Sequence, residues 1–351
     1  MGSNLKANPV ESRRLDIESP ANFAKVSKYK QTRTWERLRG SWVGEFVRGC
    51  RGSRREFVAW LRAPSVELPD VGRLAESLAA LHGQGSAGTA AENDAPIFLL
   101  STGWRAGSTL LQRILVTDRR LLLWGEPLGE MTIVSRIAEM ISHSISSRNL
   151  KLWRDQPDPA SPGLSTSWVA NLYPPSEDFR SGLRSLFDQW LREPARQRGF
   201  TRWGFKEVRL GAMEASFLHW LYPKAKFVII SRHPYDSYRS LADAGWGQVY
   251  YRYPDVSADS ATEFARHWNR LAVSWSRLPA EFPAVHIKYE DLIGGKVDFR
   301  KLESWLEMEI RENVALSVAV GGTAKRARLA WYERMAIDRE ASEGMRALGY
   351  K

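Results

Sequence analysis

The sequence predicts an α/β domain, a parallel sheet flanked by helices, with a mainly helical N-terminal extension ahead of it. Three observations carry this. The short apolar runs Ile97–Leu100, Leu121–Trp124 and Phe227–Ile230 have the length and unbroken apolar character of strands buried on both faces. Runs of this kind give way to turns and then to helix-forming stretches, the alternation that builds parallel sheets. The chain has 351 residues, 43% hydrophobic and 11% aromatic, which is enough for a sizeable core.

In chain order, residues 1–93 read as a basic extension and linker, and residues 94–351 as the main domain. The net charge is +11, and residues 1–62 hold fourteen Lys/Arg against six Asp/Glu, or +8 of it. Within this arm Trp35, Leu38, Trp42 and Phe46 recur at helical spacing among arginines, while Gly40, Gly44, Gly49 and Gly52 weaken a lone helix. The favoured reading is an arm docked on the main domain with Arg stems covering apolar surface. The competing one is peripheral membrane contact through residues 1–62, or a nucleic-acid surface. Val71–Leu81 has the pattern of a short helix, and Gly83–Ala91 has linker composition. No apolar run reaches the roughly eighteen residues of a membrane span, the first twenty residues lack an apolar signal core, and Cys50 is the one cysteine. A cytoplasmic protein in a reducing compartment is expected.

The stretch Pro96–Leu115 organises the domain. After its strand, Ser101 to Gly107 form a glycine-containing loop that opens a helix at Ser108. Loop N–H groups and a helix N-terminus then converge on one point, which favours an anion. It is not a Walker A loop: Gly103 and Gly107 are separated by three residues, Ser108 stands where the lysine belongs, and the cation is Arg105. A second anion motif follows the strand Phe227–Ile230. Arg232 offers a planar fork, Pro234 and Asp236 suit a first helical turn, and Ser240 adds a hydroxyl two turns on.

Together these motifs resemble sulfotransferases that use 3′-phosphoadenosine-5′-phosphosulfate (PAPS). Arg-Ala-Gly-Ser-Thr-Leu (105–110) is similar to the family's 5′-phosphosulfate loop, whose commonest form is Arg-Ser-Gly-Thr-Thr/Ser-Leu. Ala106 and Ser108 are the departures, and both stay small. Arg232, Pro234, Asp236, Ser240 and Leu241 match the 3′-phosphate motif at its spacing. The resemblance spans about residues 95–325. It implies a P-loop-like fold and transfer of the sulfuryl group to a hydroxyl or amine of a small-molecule, carbohydrate or lipid acceptor. It implies no metal. The cofactor contacts would come from Arg105, Ala106, Gly107, Ser108, Thr109, Leu110, Arg232 and Ser240.

Further residues follow from the same resemblance. Gly125-Glu126 lies just beyond the second strand, where the family resembling protein-tyrosine sulfotransferases places its general base. A hydroxyl must lose its proton as it attacks sulfur, so a carboxylate there suits the chemistry. The competing readings make Glu126 a cap for a helix beginning at Pro127, or give the role to Glu130. Gly204-Phe205-Lys206-Glu207 matches a Gly-x-Lys-Glu/Asp segment, with Lys206 directed at the leaving oxygen. The plainer alternative is a strand-end lysine paired with Glu207. Val285–Leu292 reads as a strand, with Tyr289 a neighbour of the adenine. Phe179–Arg196 reads as one helix, Trp168 as a packing residue, and Glu263–Ser276 as a helix with a core stripe at Phe264, Trp268, Leu271 and Trp275. The aromatic loop 245–254 reads either as a stacking surface for an acceptor or adenine or as a packed lid, and the Gly-Lys-Arg turn 321–326 as a loop that would close over the 3′-phosphate. An ATP-using P-loop kinase and a non-catalytic RNA- or membrane-binding protein are the alternatives to a sulfotransferase.

Overall fold

Parallel strands need helical crossovers, and crossovers bury both faces of the sheet. The computed structural model describes residues 49–54, 56–59, 71–81, 95–126, 133–144, 158–172, 176–243, 258–311, 313 and 328–351. The 35–46 stripe, the 83–91 linker, Glu130, the aromatic loop and the 321–326 turn lie outside them. The chain divides into two compact units, Met1–Ser53 and Arg54–Lys351, and the elements that follow all lie in the second.

Five strands, β1 (Ile97–Ser101), β2 (Leu121–Trp124), β3 (Arg202–Glu207), β4 (Lys226–Ser231) and β5 (Ala284–Lys288), form one parallel sheet in the order β2-β3-β1-β4-β5. This is the α/β architecture expected from the three apolar runs. Central β1 is buried at every position, as strict both-face burial demands. Its alternate residues serve different cores. Phe98 and Leu100 join Phe205, Phe227 and the helix Ala212–Leu221 on one face; Ile97 and Leu99 join the helix Ser108–Leu115, Val228 and Ile287 on the other. The helix Val71–Leu81 belongs to the first of these cores through Leu74 and Leu78. A third cluster holds Trp104 from the loop after β1 and Tyr238 from the helix after β4. It packs them against Phe264 and Trp268 of the helix Ala261–Ser276 and Ile337 of the helix Trp331–Ala347.

Two glycines are dictated by close approach. A Cβ on Gly204 would lie 1.8 Å from the carbonyl oxygen of Ile97, so only glycine lets β3 run this tightly against β1. Gly107 has φ +94°, and its Cβ would meet the Tyr289 ring at 2.2 Å.

Three expectations need correction. The segment 285–292 does not stay extended: β5 ends at Lys288 and Tyr289–Ile293 is a short helix. Glu290 and Asp291 occupy its first turn, where carboxylates are favoured, and Glu290 accepts from the backbone N–H of His233 at 2.9 Å. The helix expected over 179–196 begins at Ser176, and Asp188–Arg192 winds as a π-helix before Glu193–Gln197. There the buried Asp188 accepts from the Tyr222 hydroxyl at 2.8 Å and pairs with Arg192 at 2.9 Å. Trp168 is 75% exposed rather than packed.

Candidate active site

In a parallel sheet the strands' carboxyl ends point to one edge, and ligand sites lie in the crevice there. β1 and β4 are neighbours, with Ser101 level with Ile230, so the loops that leave them emerge side by side. The first is anchored to the second strand by the Thr102 N–H, which donates to the Ile230 carbonyl at 3.1 Å. Arg105 sits in the left-handed region at φ 63°. For a non-glycine residue this costs about 1–2 kcal/mol. The loop turns again at Gly107, whose carbonyl accepts from the Leu111 N–H at 3.1 Å to start the helix.

The two anion motifs meet at this edge. Arg105 Nε donates to Ser240 Oγ at 3.0 Å, and Arg232 Nη1 donates to the Arg105 carbonyl at 3.2 Å. The Arg232 guanidinium lies 4.4 Å from the centre of the Tyr289 ring, the same ring that covers Gly107. Arg105, Gly107, Arg232, Ser240 and Tyr289 therefore form one group. Ala106 is buried within the loop, while Ser108, also buried, Thr109 and Leu110 lie in the first turn of the following helix.

A second group lies past the ends of β2 and β3. Glu126 follows β2, and Lys206 Nζ donates to its Oε1 at 2.5 Å. Arg209 Nη2 donates to Oε2 of the same carboxylate at 3.2 Å. The Lys206 side chain is only 8% exposed and Glu126 is 33% exposed, so a buried cation meets a carboxylate open to incoming groups. Lys206 does not pair with Glu207, contrary to the plainer reading of the sequence. Glu207 instead takes Arg209 in a two-point contact, Nε to Oε1 at 2.7 Å and Nη2 to Oε2 at 3.0 Å. Burial pushes the Glu207 carboxyl up against the pull of that guanidinium. Arg209 thus bridges two carboxylates, and its spacing two residues past Glu207 is the only trace of this in the sequence.

Behind the second motif lies a polar network. Ser231 Oγ shares hydrogen bonds with the Tyr350 hydroxyl at 2.8 Å and with His286 Nε2 at 2.9 Å, and the Tyr350 hydroxyl also donates to Glu290 at 3.2 Å. Burial, reinforced by Lys288, lowers the His286 imidazole to about 4. Burial is also the main cause that raises the Tyr350 phenol well above its ordinary value. These groups orient the strand end from which Arg232 departs. Sequence reasoning missed them, because Tyr350 lies 119 residues from Ser231.

Two buried polar atoms at the loop have no partner among the described residues: Thr102 Oγ1 and His267 Nε2. Each suits an oxyanion held against the loop, so these side chains fit a phosphate- or sulfate-bearing ligand. No group of three or more His, Cys, Asp or Glu placed to hold a metal occurs among the described residues.

Comparison with known proteins bears on the same region. In structure the chain is similar to a sulfotransferase domain from the curacin biosynthetic pathway (16% identity, TM-score 0.38, covering 74% of this chain and 98% of that one). It is also similar to one from the Synechococcus PCC 7002 olefin synthase (19%, TM-score 0.39, 76% and 99%). A third is a sulfotransferase from Alicyclobacillus acidocaldarius (15%, TM-score 0.38, 72% and 94%). A search of curated proteins returns no match. The model of the sulfotransferase family matches residues 96–312, from the residue before β1 to just past the helix Phe299–Leu306. That span includes both anion motifs and the Glu126–Lys206 pair, and by it the chain belongs to the sulfotransferase family.

Proposed function

We propose that the chain transfers a sulfuryl group from PAPS to a hydroxyl or amine of a small-molecule, carbohydrate or lipid acceptor. The observation that carries this is the contact between the two motifs, Arg105 Nε to Ser240 Oγ at 3.0 Å and Arg232 Nη1 to the Arg105 carbonyl at 3.2 Å. Contact between residues so far apart in the chain supports one site for a doubly phosphorylated nucleotide.

Arg105 and the amides of Gly107 to Thr109 hold the 5′ end, with the helix N-terminus favouring its charge. Arg232 and Ser240 take the 3′-phosphate, the first as a bidentate fork and the second as a neutral donor. Tyr289 closes the loop from above and fixes the Arg232 plane by a cation–π contact. When bound, PAPS supplies an activated sulfuryl group whose departure leaves 3′,5′-ADP. Glu126 removes the acceptor's proton, held in place by Lys206 and Arg209. Lys206 places its ammonium where negative charge gathers, within a largely buried setting that strengthens the interaction.

Calorimetric titration of the purified chain tests this reading. 3′,5′-ADP should bind far more tightly than ATP with magnesium, and Arg232→Ala should weaken 3′,5′-ADP much more than 5′-AMP. Tighter binding of ATP would replace the proposal with a kinase, and equal losses for the two adenosine nucleotides would remove Arg232 from the 3′-phosphate.

A further inference from the structure

His267 lies on the helix Ala261–Ser276, is 3% exposed, and stacks on Trp104 of the first anion loop with ring centres 4.7 Å apart. Arg270 Nη2 reaches its Nδ1 at 3.3 Å. A guanidinium can only donate, so Nδ1 is the acceptor and the ring's single proton sits on Nε2. That Nε2–H is buried and has no partner among the described residues. An unmet buried donor of this kind is costly, so it calls for an acceptor that binding would bring.

The direction of this donor is given by Gly103. A Cβ built there would lie 3.6 Å from His267 Cδ2 and 3.9 Å from Nε2, so this edge of the ring faces the first turn of the loop. The adjoining Thr102 Oγ1 is likewise buried and unpartnered among the described residues. The imidazole is held well below its ordinary range, chiefly by burial and then by the charges of Arg270 and Arg209. Trp268, the next residue on this helix, donates its Nε1–H to the Arg232 carbonyl at 3.1 Å, so this stretch of helix lies against both anion motifs.

We infer that His267 Nε2–H donates to an oxygen of the transferred sulfuryl group, a contact that the donor nucleotide supplies and its product lacks. The inference rests on the PAPS reading given above. A neutral imidazole fits the task because it donates a hydrogen bond at the sulfuryl oxygen without releasing a proton to it. The role is one of binding and orientation, and proton removal stays with Glu126.

The experiment compares PAPS and 3′,5′-ADP binding to the full chain and to His267→Phe, which keeps a ring against Trp104. PAPS affinity should fall about tenfold or more, as expected for losing a hydrogen bond to a charged group. The 3′,5′-ADP affinity should stay within about twofold, since a merely structural defect would lower both. His267→Leu repeats the comparison should the phenylalanine variant fail to fold, and His267→Gln, which keeps an N–H, should recover part of the PAPS affinity. Unchanged PAPS binding, or equal losses for both nucleotides, overturns the proposal. An unmodified chain that binds neither nucleotide defeats the parent reading instead, and this inference with it.

Discussion

Glu126 is held from two sides, by Lys206 at 2.5 Å and Arg209 at 3.2 Å, and it remains a third exposed. A side chain braced in this way has few orientations to lose when an acceptor arrives, which is what a proton-accepting group needs. Glu126→Gln keeps shape and size but cannot take a proton. It should leave 3′,5′-ADP binding intact and reduce turnover by about a hundredfold or more, in line with general-base catalysis. A single-turnover assay with saturating donor reads this directly, and an unimpaired rate would move the base elsewhere. Legibility at this scale was uneven. The adjacent Gly125-Glu126 and the Arg232 to Ser240 spacing could be read from the sequence because each is local. His267 could not, since it falls between Phe264 and Trp268 in a stripe that otherwise reads as plain core. A polar residue inside such a stripe was the available signal.

The helix Ala261–Ser276 carries both His267 and Trp268, and its start is secured by an unusual cap. Ser260 Oγ accepts from the Glu263 N–H at 3.1 Å, while Glu56 accepts from the N–H groups of Ala261 and Thr262, each at 2.8 Å. Glu56 thus uses both carboxylate oxygens on the positive end of a helix dipole, which satisfies two of its orphan donors. Glu56→Ala should destabilise the protein by about 1–2 kcal/mol, the usual range for losing an N-terminal cap. Chemical denaturation measures it, with a fall in midpoint at unchanged slope as the expected result. A midpoint equal to that of the unmodified chain would contradict the cap. This contact joins residues 205 positions apart, so no local pattern announced it. The strands were legible for the opposite reason: burial on both faces leaves a run of apolar residues in the sequence itself. The end of β5 was misjudged because alternation continues through Tyr289, while the competing attraction of Glu290 for the His233 N–H is a tertiary contact.

At the scale of the whole molecule, the opposite end of the sheet adds a charged tie to its apolar packing. Asp118 accepts from Arg120 side-chain nitrogens at 2.6 and 3.0 Å and from the Glu309 N–H at 3.1 Å, which joins the turn before β2 to the segment after the helix Phe299–Leu306. The Arg120 guanidinium is the largest cause that lowers the Asp118 carboxyl from 3.8 to about 2. A carboxyl depressed by folding stabilises the native state above its unfolded value, and that contribution fades as pH falls through the folded one. Stability should therefore drop between about pH 4 and pH 2, and Asp118→Asn should flatten that part of the curve while lowering the plateau above it. Melting temperatures across the range check this, and an identical slope in the variant would place the acid-sensitive group elsewhere. The fold class was readable because apolar runs alternate with helix-forming stretches, whereas the strand order β2-β3-β1-β4-β5 depends on crossovers that no local pattern announces. The placement of Trp168 at the surface was not, since an exposed tryptophan leaves no mark that distinguishes it from a buried one.

The hydrogen bond from Arg105 to Ser240 gives the two anion motifs a common joint. A disturbance at either motif is passed to its neighbour through one guanidinium, so losses from changing both should not simply add. Small anions that fill one motif alone would then underestimate what a ligand spanning both feels, because each motif is shaped by the other.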